Sequence, residues 1–184
     1  MAYDYKADIG IRMDIVELLP YLEELAEQKA FVLELGTQYG NGSTLALMNG
    51  LRASTELFKL MVSVDVDDQI SEGRRPIEDY WNFIIGNSSA ERVYDDAAVL
   101  MGINKFDIIF IDSFHKVYHA KDEINLWLPL SNDSTIWLFH DVWDDQLNEE
   151  NEFSLAIRDF VTSLGYSYEI VNQECQGLAK MIKE

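Results

Sequence analysis

The stretch FVLELGTQYGNGSTLALMNGLRAS, residues 31–54, decides the fold. FVLELG is a short apolar run ending in glycine, the form of a strand covered on both faces in a parallel sheet. Gly36, Gly40 and Gly42 then crowd a turn that closes on Ser43 and Thr44. Beyond it, Leu45, Leu47, Met48 and Leu51 recur at helical spacing, with Ser43 or Thr44 placed to cap the helix start. Strand, glycine turn and helix, in that order, make a ligand loop at the edge of an α/β sheet.

The same alternation extends in both directions. Upstream, DIVELLPYLEELAEQ (14–28) reads as an amphipathic helix bent at Pro20. Downstream, LMVSVD (60–65), WNFIIGN (81–87), FDIIFID (106–112) and TIWLFHD (135–141) are strands. ERVYDDAAVLMG, HAKDEINLWL and FSLAIRDFVTSLG are helices, and SYEIV with LAKMIK makes an antiparallel hairpin at the sheet edge. Residues 66–80 are polar and contain Gly73 and Pro76, as suits a loop or lid. Five strand–helix units with right-handed crossovers predict a doubly wound, mostly parallel sheet between two helical layers. Such sheets bind ligands at the carboxyl ends of their strands, which here carry Glu34, Gly36, Asp65, Asn87, Asp112, His140 and Asp141.

Composition sets the outer bounds. The 184 residues, 48% hydrophobic with three prolines, are read as one domain over residues 1–184. A net charge of −19 disfavours nucleic acid and anionic membranes as partners. No apolar run approaches the roughly 20 residues of a membrane-spanning helix. The single cysteine, Cys175, and an N-terminal stretch without a signal-peptide profile point to a reducing, cytoplasmic setting.

Taken in order, DIVELLPYLEELA, ELGTQYGNGSTLAL, MVSVD, FIIGNS, FDIIFIDSFHKVYHAKDEINLWLPL and WLFHDVW resemble the class I S-adenosylmethionine-dependent methyltransferases. Within that family the chain is similar to a small branch related to catechol and sugar O-methyltransferases. The resemblance implies seven strands with the last antiparallel, and S-adenosylmethionine as cofactor. Its cofactor loop would comprise Glu34, Gly36, Thr37, Gly40 and Ser43, with Gly42 competing with Ser43 for the contact. Asp65 would accept from both ribose hydroxyls. Asn87 stands where the family has an acid for the adenine amine, and its amide oxygen can accept the same bond. Asp112 would serve the cofactor as well as the chemistry. The residues support this cofactor on their own terms. A dinucleotide turn wants a second glycine where Gln38 stands, and Glu34 suits a cationic aminoacid and sulfonium ligand. An NAD-dependent oxidoreductase is the lesser reading, as is a cofactor-binding relative that transfers nothing.

Methyl transfer needs donor and acceptor in line and a way to remove the acceptor's proton. His115, His119 and His140 fall within 26 residues, close to Asp112 and Asp141. Asp112, His115 and His140 are therefore the expected catalytic residues. Relatives bind a divalent ion at positions matched by Asp112, His140 and Asp141, so Mg2+ or Mn2+ is an expected second cofactor, although magnesium prefers oxygen to the imidazole of His140. A zinc pair of His115 and His119 lacks the neighbouring glutamate or cysteine that would support it. His119 reads as opening the solvent face of a helix. Trp127, Trp137 and Phe139 read as core, Trp143 as pocket wall or packing, and Arg74 with Arg75 as a solvated pair or an anion clamp. The substrate expected is a small hydroxylated molecule or sugar, covered by the 66–80 loop or by a second subunit of a homo-oligomer.

Overall fold

The computed structural model describes Tyr5, residues 15–70 and residues 75–183. Asp14, the first residue of the expected leading helix, and Arg74 lie outside the described residues. The first helix, α1, runs Leu19–Ala26. It does not bend at Pro20, because Pro20 sits in its first turn, where the absent N–H has no helical partner to lose. There follow β1 (Phe31–Leu35), α2 (Ser43–Ala53), β2 (Leu60–Asp65), β3 (Trp81–Ile85), α3 (Glu91–Met101) and β4 (Ile108–Ile111). The chain continues through α4 (Val117–Trp127), β5 (Ile136–His140), β6 (Trp143–Asp144), β7 (Glu149–Glu150), α5 (Glu152–Ser163), β8 (Tyr166–Asn172) and β9 (Leu178–Lys183).

Seven strands form one sheet in the order β3-β2-β1-β4-β5-β9-β8. β1 to β5 are parallel, and β9 runs antiparallel to both β5 and β8. The expected hairpin is thus present with its second strand inside the sheet and β8 at the edge. The two-residue strands β6 and β7 pair with each other alone, a hairpin too short for a hydrophobic period to reveal. Strand alternation divides the core. Val32, Ile108, Phe110 and Leu138 pack towards α1 and α2. Leu33, Ile109, Ile111, Trp137 and Phe139 pack with the buried residues of α3, α4 and α5. Three layers result, with Trp127 and Trp137 fully buried as read from sequence. Among the described residues no helix is long and apolar enough to cross a membrane.

Chain order reverses between β1 and β4, which are neighbours although two strands separate them in sequence. A crevice opens at such a point, because the loops leaving the two strands diverge. Here the strand ends nearly touch: a Cβ on Gly36 would lie 2.1 Å from the Asp112 carbonyl oxygen. Gly36 also has φ +95°, a backbone region that side chains disfavour.

Candidate active site

Two cavities meet at this switch point, both lined by Gly36, Gln38, Asp112 and Ser113. The smaller, about 270 Å3, gathers Thr37, Ser43, His115, His140 and Asp141 from the expected residues, and adds Ile15, Asn41 and Gly42. The larger, about 620 Å3, gathers Asp65 and Asn87, and adds Val66, Ser88, Ser89, Phe114, Tyr118, His119 and Asp122. Glu34 and Gly40 line neither.

Glu34 acts from beneath the loop. Its carboxylate has no exposed surface and accepts from Ser43 Oγ (2.6 Å), Thr44 Oγ1 (2.9 Å) and Ser63 Oγ (2.7 Å). Burial raises its pKa to about 7 against the opposing pull of those hydroxyls. Because Ser43 and Thr44 are committed to Glu34, neither caps α2, whose N-cap position is Gly42. Gly42 therefore leaves Ser43 on the cavity wall with its hydroxyl turned inwards.

Asp65, at the end of β2, ties the loop to the sheet. Its Oδ2 accepts from the backbone N–H of Thr37 (2.9 Å) and of Gln38 (2.8 Å), the latter at φ 45°. Asn87 is exposed, and its Oδ1 accepts from Ser89 N and Ser89 Oγ, both at 3.0 Å.

Four side chains, Asp112, His115, His140 and Asp141, converge at the far wall of the smaller cavity. His140 closes β5 with its ring 4% exposed; Nδ1 lies 3.0 Å from Asp112 Oδ1 and 3.2 Å from Asp141 Oδ1. Its Nε2 donates to the Cys175 carbonyl at 2.9 Å. Burial works against a charged ring here, but the Asp112 hydrogen bond and the two carboxylate charges outweigh it and raise the pKa to about 9. Both nitrogens face acceptors, so both carry protons and no lone pair is left for a cation. His115 sits opposite, Nδ1 3.1 Å from Asp141 Oδ2 and Nε2 3.4 Å from Asp112 Oδ1 but in no hydrogen bond, so that Nε2 keeps its lone pair; its ring is edge-on to Phe153. Burial would raise the Asp112 pKa, yet the adjoining His115 and His140 rings carry it below the usual aspartate value. Ligand atoms of Asp112, His115 and Asp141 lie within 4.8 Å of one another. Among the described residues this trio is the group whose spacing could hold a cation, with His115 in it where His140 was expected. Asp141 adopts φ 58°, which aims its carboxylate back into the site.

His119 differs most from the sequence reading. It is buried, 9% exposed, with Nε2 3.2 Å from Ser88 Oγ and 3.2 Å from Glu123 Oε1. The Glu123 hydrogen bond, stronger than the counteracting burial, raises its pKa. Glu123, wholly buried, also accepts from Ser113 Oγ at 2.6 Å. The overlooked signal is an acid on the apolar face of α4, at helical spacing from the buried Ala120 and Trp127. Trp143 packs against Gly177 and lines neither cavity. Arg75 stays partly solvated, its side chain 37% exposed, while it pairs with Asp68 and lies over the rings of Trp81 and Phe83.

The sheet is doubly wound with β9 threaded beside β5, and its switch-point crevice carries carboxylates at the ends of β2 and β4. Residues 33–142 match the methyltransferase domain family, and the chain belongs to it. It is an S-adenosylmethionine-dependent methyltransferase. No curated protein sequence matches the chain. Solved structures agree on the fold. A candidate caffeoyl-CoA O-methyltransferase from Staphylococcus aureus superposes with TM-score 0.66 at 16% identity, over 97% of this chain and 87% of that one. The SAH-bound methyltransferase PaMTH1 from Podospora anserina gives 0.60 at 16% identity, over 99% and 92%. MycE, from the mycinamycin biosynthetic pathway and solved with Mg, SAH and mycinamycin VI, gives 0.60 at 15% identity, over 91% and 48%. The present chain thus spans about half the length of MycE.

Proposed function

We propose that the protein methylates a hydroxyl group of a small molecule or sugar. The observation that carries this reading is the pairing of cavities at Gly36 and Asp112: a roomy one with the Asp65 carboxylate and apolar rim residues, and a compact one with two carboxylates and two imidazoles. The first suits the adenosyl half of the cofactor, with Val66 and Phe114 as apolar faces for the base and Asp65 Oδ1 for the ribose. The second suits the methyl group and its acceptor. Thr37, Ser43 and Gln38 surround the aminoacid end, and Glu34 holds that end of the loop in place. His115, oriented by Asp141, takes the acceptor's proton, while His140 fixes Asp112 and Asp141 from behind. Isothermal titration with S-adenosylhomocysteine tests the first half, and Asp65→Ala should weaken that binding about 10–100-fold through the loop and the ribose together. Unchanged affinity in the variant would remove the ribose assignment.

A divalent ion is supported by the convergence of Asp112, His115 and Asp141. Two carboxylates and one imidazole fit Mn2+ readily and Mg2+ through their oxygens. Such an ion, when bound, would hold the acceptor oxygen and lower the pKa of its hydroxyl. Manganese is expected to raise the wild-type melting temperature and, by about tenfold, the turnover; Asp141→Ala should lose both responses. A melting temperature indifferent to manganese and chelator would leave His115 as a proton acceptor only. The single cysteine is consistent with work in a reducing cytoplasm, and a second subunit or residues 66–80 would cover the acceptor.

A further inference from the structure

We propose that helix α4 reads the cofactor's nucleobase: Asp122 accepts from the 6-amino group of adenine, and His119 Nδ1 donates to the adjacent ring nitrogen. The proposal rests on the adenosylmethionine reading above. The carbonyl oxygen expected to accept from that amine, Asn87 Oδ1, already takes two hydrogen bonds from Ser89. A carbonyl oxygen has two lone pairs, so a third donor would displace one of them. The base then needs another acceptor on the wall of the larger cavity.

Helix α4 supplies one beside a donor. His119 and Asp122 both line that cavity, and residues three apart are neighbours on a helix surface. His119 is held by Glu123 Oε1 and Ser88 Oγ, both 3.2 Å from Nε2. Nε2 therefore carries a proton towards the buried carboxylate. Nδ1 has Ser89 Oγ at 3.5 Å, too far for a strong bond, and is the ring nitrogen with capacity to spare. The Glu123 partnership favours the doubly protonated ring, which makes Nδ1 a donor. Phe114 stands edge-on to this ring at 5.8 Å, is half exposed, and offers the base an apolar face.

Adenine presents an amine donor next to a ring acceptor, the complement of a carboxylate next to N–H. Hypoxanthine reverses both, with a 6-oxo acceptor beside a ring N–H. The α4 pair must therefore discriminate between them. Calorimetric titration of wild-type protein and Asp122→Asn with S-adenosylhomocysteine and S-inosylhomocysteine provides the test. Wild type should prefer the adenosyl ligand by about 30-fold or more, in line with one two-point base contact. Asp122→Asn should reduce that preference below about fivefold, since an amide can turn its NH2 towards the 6-oxo group. His119→Gln should cost the adenosyl ligand about tenfold. Asp122 is exposed, so its variant should melt with wild type and decide the matter even if His119→Gln fails to fold. Binding of neither ligand by wild type would overturn the adenosylmethionine reading itself. Adenosyl binding without preference in wild type, or with full preference kept in Asp122→Asn, would overturn the α4 contact and leave that reading standing.

Discussion

Gly36→Ala is expected to lower the melting temperature by about 10 °C and to abolish S-adenosylhomocysteine binding. The new Cβ would sit 2.1 Å from Asp112 O, 2.5 Å from its carbonyl carbon and 2.9 Å from Ser113 N. These are backbone atoms of the neighbouring strand, so no side chain can swing aside. β1 and β4 must part, and they part where both cavities have their common wall. Overpacking and the positive φ together cost about 3 kcal/mol, and a chain of this size loses about 2–4 °C per kcal/mol. Gly102→Ala is the control. Gly102 also has positive φ, +58°, but nothing lies within 4 Å of its Cβ position. That variant should lose only the conformational part, about 1 kcal/mol, and bind normally. Equal losses in the two variants would show that backbone conformation, not strand contact, sets the requirement at Gly36.

The second large effect is a dependence of stability on pH that originates at Glu34. Its folded pKa is raised by burial from 4.5 to about 7. For an acid this direction means that the folded state holds its proton longer than the unfolded one. Stability is then undiminished below about pH 4.5 and falls as pH rises to about 7, where the cost levels off. A shift of this size corresponds to about 3 kcal/mol. Glu34→Gln removes the charge and keeps an oxygen for Ser43, Thr44 and Ser63. Denaturant unfolding at pH 5 and pH 8 should show Glu34→Gln gaining about 2.5 kcal/mol on wild type at the higher pH relative to the lower, part of the cost being present already at pH 5. Equal differences at both values would mean that Glu34 is not charged at the cost that its burial implies.

The five parallel strands were legible because each is a short apolar run, closed by Gly36 in the first and by a polar residue in the other four, and those closing residues were themselves the pointers to the site. β2, Leu60–Asp65, agrees to the residue. What escaped was decided across the sheet. Ser43 and Thr44 are good capping residues by local rule, but Glu34 is reached only when β1 and α2 are side by side, and a buried carboxylate outcompetes a helix end for their hydroxyls. His119 and Glu123 lie on the inner face of α4, an orientation that the following apolar residues indicate and the polar names obscure. His140 was read as a ligand from its place after β5. Its ring is instead saturated from two sides, and one partner is the carbonyl of Cys175, 35 residues on. No local pattern announces that partner.

That last contact links chemistry to the order in which the molecule is made. The Cys175 carbonyl is presented by a tight bend, with Cys175, Gln176 and Gly177 all at positive φ, between the edge strand β8 and β9. β9 is the later strand of that hairpin yet an interior one, wedged between β5 and β8. Until residues 178–183 have been synthesised and inserted, β5 has a bare flank, and the imidazole at its tip lacks the acceptor that holds it upright. A ribosome-bound or proteolytically clipped chain lacking that segment leaves the His140 ring without its backbone anchor. It carries a sticky sheet edge, the kind of surface that chaperones and proteases recognise.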